Sequence, residues 1–145
     1  MKRFLLTIVL AAMAASSIYA DNDRAISFDR LPEAAKEFIT ASFPDSRIAY
    51  VKKEVDFPEV KYEVMLVDGV TVEFDRRGNW TDIECRYGNL EPSLVPENIR
   101  TSSMSLRPDD KFRRISKGEK GYELKLRSGV EMKFDRWLNL VEIDD

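Results

Sequence analysis

The chain has 145 residues, with 23 Lys and Arg against 26 Asp and Glu, one Cys and no His. Without imidazole there is no His-based acid–base catalysis, His-supported triad or His metal ligand, and a single thiol excludes a disulfide scaffold and thiolate zinc sites. A net charge of −3 argues against nucleic acid, whose phosphates require a clustered basic surface.

At the N-terminus, Lys2 and Arg3 precede an apolar run from Phe4 to Ala15, and small residues close the segment at Ala20. This is the pattern of an export signal, too short to span a bilayer, which needs roughly 20 apolar residues. Residues 1–20 are expected to be removed, with a cut after Ser17 as the alternative, leaving a periplasmic or secreted chain with no membrane insertion. Loss of Lys2 and Arg3 takes the 23 bases to 21 against 26 acids, a net charge of −5. What remains is the size of one domain and needs no disulfide. Cys85 reads as a small buried hydrophobe.

Pro32 and Glu33 suit the first turn of a helix, and Ala35, Phe38, Ile39 and Phe43 recur at helical spacing until Pro44 ends it. Ser46 to Val55 then gives a strand, after which the period becomes two. Tyr62, Val64 and Leu66 alternate with Glu63, Met65 and Val67; Asp68-Gly69 supplies the positive-φ turn of a two-residue hairpin, and the chain returns through Val70, Val72 and Phe74. A turn from Asp75 to Asn79, containing Gly78, leads into a strand from Trp80 to Tyr87. Gly88 to Leu94 reads as a linker.

The pattern then repeats. Tyr62-Glu63-Val64-Met65-Leu66 returns as Tyr122-Glu123-Leu124-Lys125-Leu126, and Gly69-Val70 through Phe74-Asp75-Arg76 as Gly129-Val130 through Phe134-Asp135-Arg136, sixty residues on. Upstream, Leu31-Pro32-Glu33 and Pro44-Asp45 return as Val95-Pro96-Glu97 and Pro108-Asp109 at an offset of sixty-four. The first copy thus carries four extra residues, most simply around Asp56-Phe57-Pro58-Glu59. The expected fold is α+β: a single domain over 21–145 made of two helix-plus-four-strand repeats, about 29–87 and 95–145. They form two layers, an antiparallel sheet of up to eight strands with the helices on one face. The copies differ. Phe38 and Ile39 map to Ser102 and Ser103, so the second helix, with Val95, Ile99 and Leu106 as its core contacts, is expected to be weaker or shorter. Gly78 maps to Leu138, which predicts a different backbone path in the second turn.

Two copies of Leu/Val-Pro-Glu, a helix, Pro-Asp, then Tyr-Glu-(apolar)-x-Leu-x-x-Gly-Val-x-(apolar)-x-Phe-Asp behind an export signal resemble the PepSY-like family of exported Bacteroidetes proteins. That resemblance implies a fold similar to the β-lactamase inhibitory protein and a periplasmic or secreted location. It supplies no catalytic residues, and inhibition of a β-lactamase or peptidase would be a fold-level analogy.

The serine-hydrolase, penicillin-recognising and nucleotide-binding signatures are absent from the sequence. Glu63, Glu73, Glu123 and Glu131 fall on the polar face beside Lys125, Lys133 and Arg127, a pattern of cross-strand ion pairs. Asp75 and Asn79, with Asp135 and Asn139, read as side chains closing a turn on its own amides rather than as a calcium loop. No catalytic residue, metal or cofactor is expected. The candidate partner-binding residues are Tyr50, Met65, Trp80 and Trp137, with Leu140 nearby. Met65, and Trp80 in register with Asp82 and Glu84, are expected on the open side of the sheet, where large apolar groups on a charged surface mark either a recognition patch or an interface within or between chains. The expected function is a non-catalytic binding or inhibitory module for a protein or peptide partner. A self-assembling envelope protein and an acid-pair hydrolase are the alternatives.

Overall fold

A computed structural model describes residues 23–145, so the expected export signal lies outside the described residues. The described residues fold as α+β, with nine strands in one sheet and two α-helices. The strands are β1 Asp23–Ala25, β2 Ile48–Asp56, β3 Glu59–Leu66, β4 Val70–Phe74, β5 Trp80–Cys85, β6 Phe112–Gly118, β7 Gly121–Leu126, β8 Glu131–Asp135 and β9 Leu140–Asp144. They lie in chain order, each antiparallel to the next. Helix α1 spans Glu33–Ser42 and α2 spans Glu97–Leu106. The sheet exceeds the expected eight strands by β1, whose three exposed residues pair with Lys52 to Glu54 of β2. Three residues are too few for a period to register.

Alternation builds the core. Val64, Leu66, Val72, Phe74, Ile83 and Cys85 are buried, as are Ile115, Leu124, Leu126, Met132 and Phe134, while the residues between them are not. Leu31, Ala35, Ile39, Val95 and Ile99 from the helical segments complete the same cluster. The linker is less plain than its composition, for Leu90 is buried and its N–H donates to the Phe112 carbonyl at 2.8 Å.

The β2–β3 hairpin is longer than the β6–β7 hairpin by four residues. The β2–β3 ladder closes at Asp56 opposite Glu59, whereas β6–β7 closes at Gly118 opposite Gly121, whose counterparts at the two offsets are Glu54 and Lys61. Each strand therefore gains two residues, which keeps every side chain on its own face.

The turns differ from expectation in two places. Gly69 and Gly129 have φ of 95° and 101°, but the loops are longer than two residues: three lie between Leu66 and Val70, and four between Leu126 and Glu131. The Gly69 N–H donates to the Leu66 carbonyl at 3.1 Å, closing a tight turn followed by a glycine in the left-handed region, the ordinary three-residue hairpin. Leu138, expected to divert the second turn, instead adopts φ 70°, close to the 87° of Gly78. Asp135 enforces this path. Its Oδ1 accepts from the N–H groups of Trp137 and Asn139, both at 2.9 Å, as Asp75 accepts from Arg77 at 2.9 Å and Asn79 at 3.0 Å. Packing of the half-buried Leu138 side chain against the core offsets a left-handed strain of about 1–2 kcal/mol.

The second helix is not shorter; both have ten residues. Its inward positions are Ile99 and Ser103, with Ser103 only 1% exposed where α1 places Ile39, and Leu106 points away at 50% exposure. The helical period explains this, since four residues after Ile99 the inward position is Ser103, and Leu106 has rotated past the face.

Two outcomes are expected. A Cβ added to Gly78 would lie 2.8 Å from Pro32 Cβ and 2.9 Å from the Ala35 backbone N, whereas one added to Gly129 meets nothing within 4 Å. Gly78→Ala should therefore cost roughly 2–4 kcal/mol in urea denaturation, and Gly129→Ala only the conformational part, about 1–2 kcal/mol; equal losses would contradict the packing described. In hydrogen exchange, the amides of Glu33–Ser42 should be protected well above those of Glu97–Leu106, because α1 adds Phe38 and Phe43 to the core edge.

Candidate functional site

Opposite the buried positions, the strand register lines up two rows of side chains. One runs Lys52, Glu63, Glu73, Asp82 and the other Tyr50, Met65, Thr71, Glu84, each residue directly opposite the next. All of these but Lys52, together with Gly69 and Arg86, line a pocket of about 130 Å³. Tyr50 and Met65 are thus neighbours. The Tyr50 hydroxyl donates to Glu63 Oε2 at 3.2 Å, and Thr71 Oγ1 donates to Met65 Sδ at 3.3 Å. Burial, then the charge of Glu63, raises the Tyr50 phenol above its usual range.

The other two candidates lie elsewhere. Trp80 packs against Phe38 of α1, the ring centroids 6.5 Å apart, with Lys117 Nζ 4.2 Å from the Trp80 ring centroid. A β-bulge is the cause. Glu73 pairs with Asp82 but Phe74 pairs with Trp80, so Thr81 is an extra residue and alternation counted back from Ile83 slips by one. Trp137 sits in the Asp135–Asn139 turn, 71% exposed, with the Arg136 guanidinium 5.3 Å from its ring centroid. It does not line the pocket. Leu140, the counterpart of Trp80, pairs with Phe134 on the edge strand β9.

The acidic members of the pocket emerge only from the register. Three of them have cationic partners. Lys52 Nζ is 3.1 Å from Glu63, Arg114 grips Asp82 with two 2.8 Å hydrogen bonds, and Arg113 is 3.7 Å from Glu84. Glu73 has none within 4.0 Å among the described residues and lies between Glu63 and Asp82; burial first, then Asp82 and Glu63, raises its carboxyl above the ordinary range. The ion-pair expectation therefore holds for Lys125 with Glu131 at 3.4 Å but fails at Glu73. It fails also at Arg127, which donates instead to the Cys85 carbonyl at 3.1 Å. Among the described residues no three His, Cys, Asp or Glu side chains converge as a metal site.

A carboxyl whose folded pKa is raised favours the folded state while protonated and loses that contribution as pH rises through the folded value. Glu73→Gln should accordingly stabilise the chain near pH 7, by roughly 0.2–1 kcal/mol on the scale of cross-strand charge pairs. The gain should vanish below about pH 4, where the unfolded carboxyl is protonated too. Thermal denaturation across that pH range reads it, and a variant less stable than wild type at pH 7 would contradict the charge assignment.

A family model described as "Putative beta-lactamase-inhibitor-like, PepSY-like" matches residues 18–61 and 60–142. Among solved structures, the chain is similar to a "putative calcium-regulated periplasmic protein" from Bacteroides thetaiotaomicron, at 37% identity and TM-score 0.83, covering 87% of this chain and 99% of that one. It is similar also to a "putative periplasmic protein" from Bacteroides vulgatus, at 36% identity and TM-score 0.82 with the same coverage. A second Bacteroides vulgatus protein, "of unknown function", shares 32% identity at TM-score 0.79, over 85% of this chain and 99% of its own. No curated protein matches the chain. None of the described helices is long and apolar enough to cross a membrane. The chain belongs to the PepSY-like family and is a periplasmic protein.

Proposed function

We propose that the chain is a non-catalytic periplasmic binding module that holds a protein or peptide on the open side of its sheet. In this reading the export signal of residues 1–20 is removed, and 21–145 is one domain of two repeats whose helices cover one face and leave the other free. Matching offsets support the repeat. The bulges between Ile48 and Tyr50 and between Glu73 and Phe74 recur between Phe112 and Arg114 and between Lys133 and Phe134. The caps at Pro32 and Pro96 likewise lie sixty-four residues apart.

The observation that carries the binding reading is the pocket beneath Tyr50 and Met65, where Glu73 has no cation within 4.0 Å among the described residues, Lys61 and Arg114 acting on it only from further away. A basic side chain from a partner would supply that cation, and the Tyr50 ring and Met65 thioether offer contact area around it. Trp80 and Trp137 are not part of this site.

The hydrolase reading has one observation in its favour, since Glu73 faces Asp82 directly and its carboxyl is raised. Against it, Asp82 is committed to Arg114 through two 2.8 Å hydrogen bonds. Calcium regulation belongs by name to one relative. Here the turn carboxylates of Asp75 and Asp135 already accept backbone N–H groups.

A photo-crosslinking amino acid at position 50, in cells, should yield a discrete adduct that Glu73→Lys abolishes, whereas the same group at the exposed Glu37 of α1 should not. Equal adducts from both positions, or none from position 50, would remove the open side as the binding surface.

A further inference from the structure

β9 repeats β5 but lacks the neighbour that β5 has. The strand Trp80-Thr81-Asp82-Ile83-Glu84 corresponds to Leu140-Val141-Glu142-Ile143-Asp144, sixty residues on, an acid–Ile–acid edge in both cases. β5 is covered by β6, with Ile83 opposite Ile115 and both fully buried. Arg114 of β6 grips Asp82 through two 2.8 Å hydrogen bonds, and Arg113 is 3.7 Å from Glu84. β9 has no strand beyond it among the described residues. Ile143 is in consequence 42% exposed where Ile83 is 0%, and Leu140 is 37% exposed. A row of unpaired N–H and C=O groups beside exposed branched side chains is a template for strand addition.

The opposite edge shows that this fold fills such a position with a very short segment. β1 places Ala25 opposite Lys52, the counterpart of Ser116, which on β6 faces Asp82; β1 thus stands on β2 where β5 stands on β6. Three residues suffice there.

We propose that the β9 edge receives, by antiparallel strand addition, an extended segment of a partner protein with the pattern basic–basic–branched apolar, as in Arg113-Arg114-Ile115. The apolar residue covers Ile143, and the basic pair meets Asp144 and Glu142, whose carboxylate also has Lys133 Nζ at 3.3 Å. A second copy of the chain fits less well, because a twofold β9 pairing would set Glu142, Asp144 and Asp145 against their own kind. This surface is separate from the pocket beneath Tyr50 and stands whether or not that pocket binds anything.

The test uses the exported chain and a fluorescent peptide carrying its own β6 sequence, residues 110–118, as the probe. Anisotropy should show saturable binding, weakened at least tenfold when both arginines of the peptide are replaced by Glu. A similar loss should follow Ile143→Lys, and also Glu142→Lys, a surface change that leaves the core untouched and guards against misfolding of the first variant. Hydrogen exchange should slow in Leu140–Asp144 on binding. Absence of binding, indifference to the charge reversal, or protection that changes on β6 or β3 instead of β9 would overturn the proposal. So would a dimer in sedimentation that Ile143→Lys dissociates, since the edge would then serve a second copy.

Discussion

Side-chain alternation must stay in phase across nine strands, and almost every property of this molecule follows from how that phase is kept or locally shifted. Burying Val64, Val72, Ile83, Ile115, Leu124 and Met132 on one side obliges Glu63, Glu73, Asp82 and Glu123 to share the other. The charged surface is in this sense a by-product of core formation. It becomes distinctive only where the charges fail to cancel. Lys125 and Lys133 answer Glu131 and Glu142, whereas Glu63, Glu73 and Asp82 stand side by side and the middle one has no cation within 4.0 Å among the described residues.

The helices tolerate inequality because the sheet does not depend on them equally. α1 sets Phe38 edge-on to Phe74 at 5.9 Å and to Phe43 at 6.3 Å, an aromatic cluster that α2 cannot form with Ser102 and Arg107 in those places. The second half compensates in its turn, where Leu138 contributes a side chain that Gly78 does not. Gly78 cannot follow suit, because the first turn of α1 already occupies the space.

Residue spacing alone conveyed the helices, the hairpin glycines and the inward positions of β3 to β5, since all of these express a period or a backbone requirement local to a few residues. The features that eluded it are those in which a distant partner decides. Thr81 carries no mark of a bulge; it is the pairing of Phe74 with Trp80 that turns Trp80 toward Phe38 and away from Tyr50. β1 exists through its hydrogen bonds to β2, and nothing in Asp-Arg-Ala announces it. Leu138 defies its own preference because Asp135 holds the turn from behind. Of the candidate site, the side taken by Met65 was legible from alternation, while Tyr50 and Glu73 gained their places only when the register set one opposite Met65 and the other between Glu63 and Asp82.

Cys85 bears on how the protein matures. The thiol is buried at the end of β5, the only cysteine in the sequence, and the carbonyl of the same residue is held by Arg127 from the neighbouring half. Folding therefore draws nothing from oxidation and offers oxidants nothing once complete. The fold of the described residues is thus held together without a disulfide, in whichever redox environment it forms.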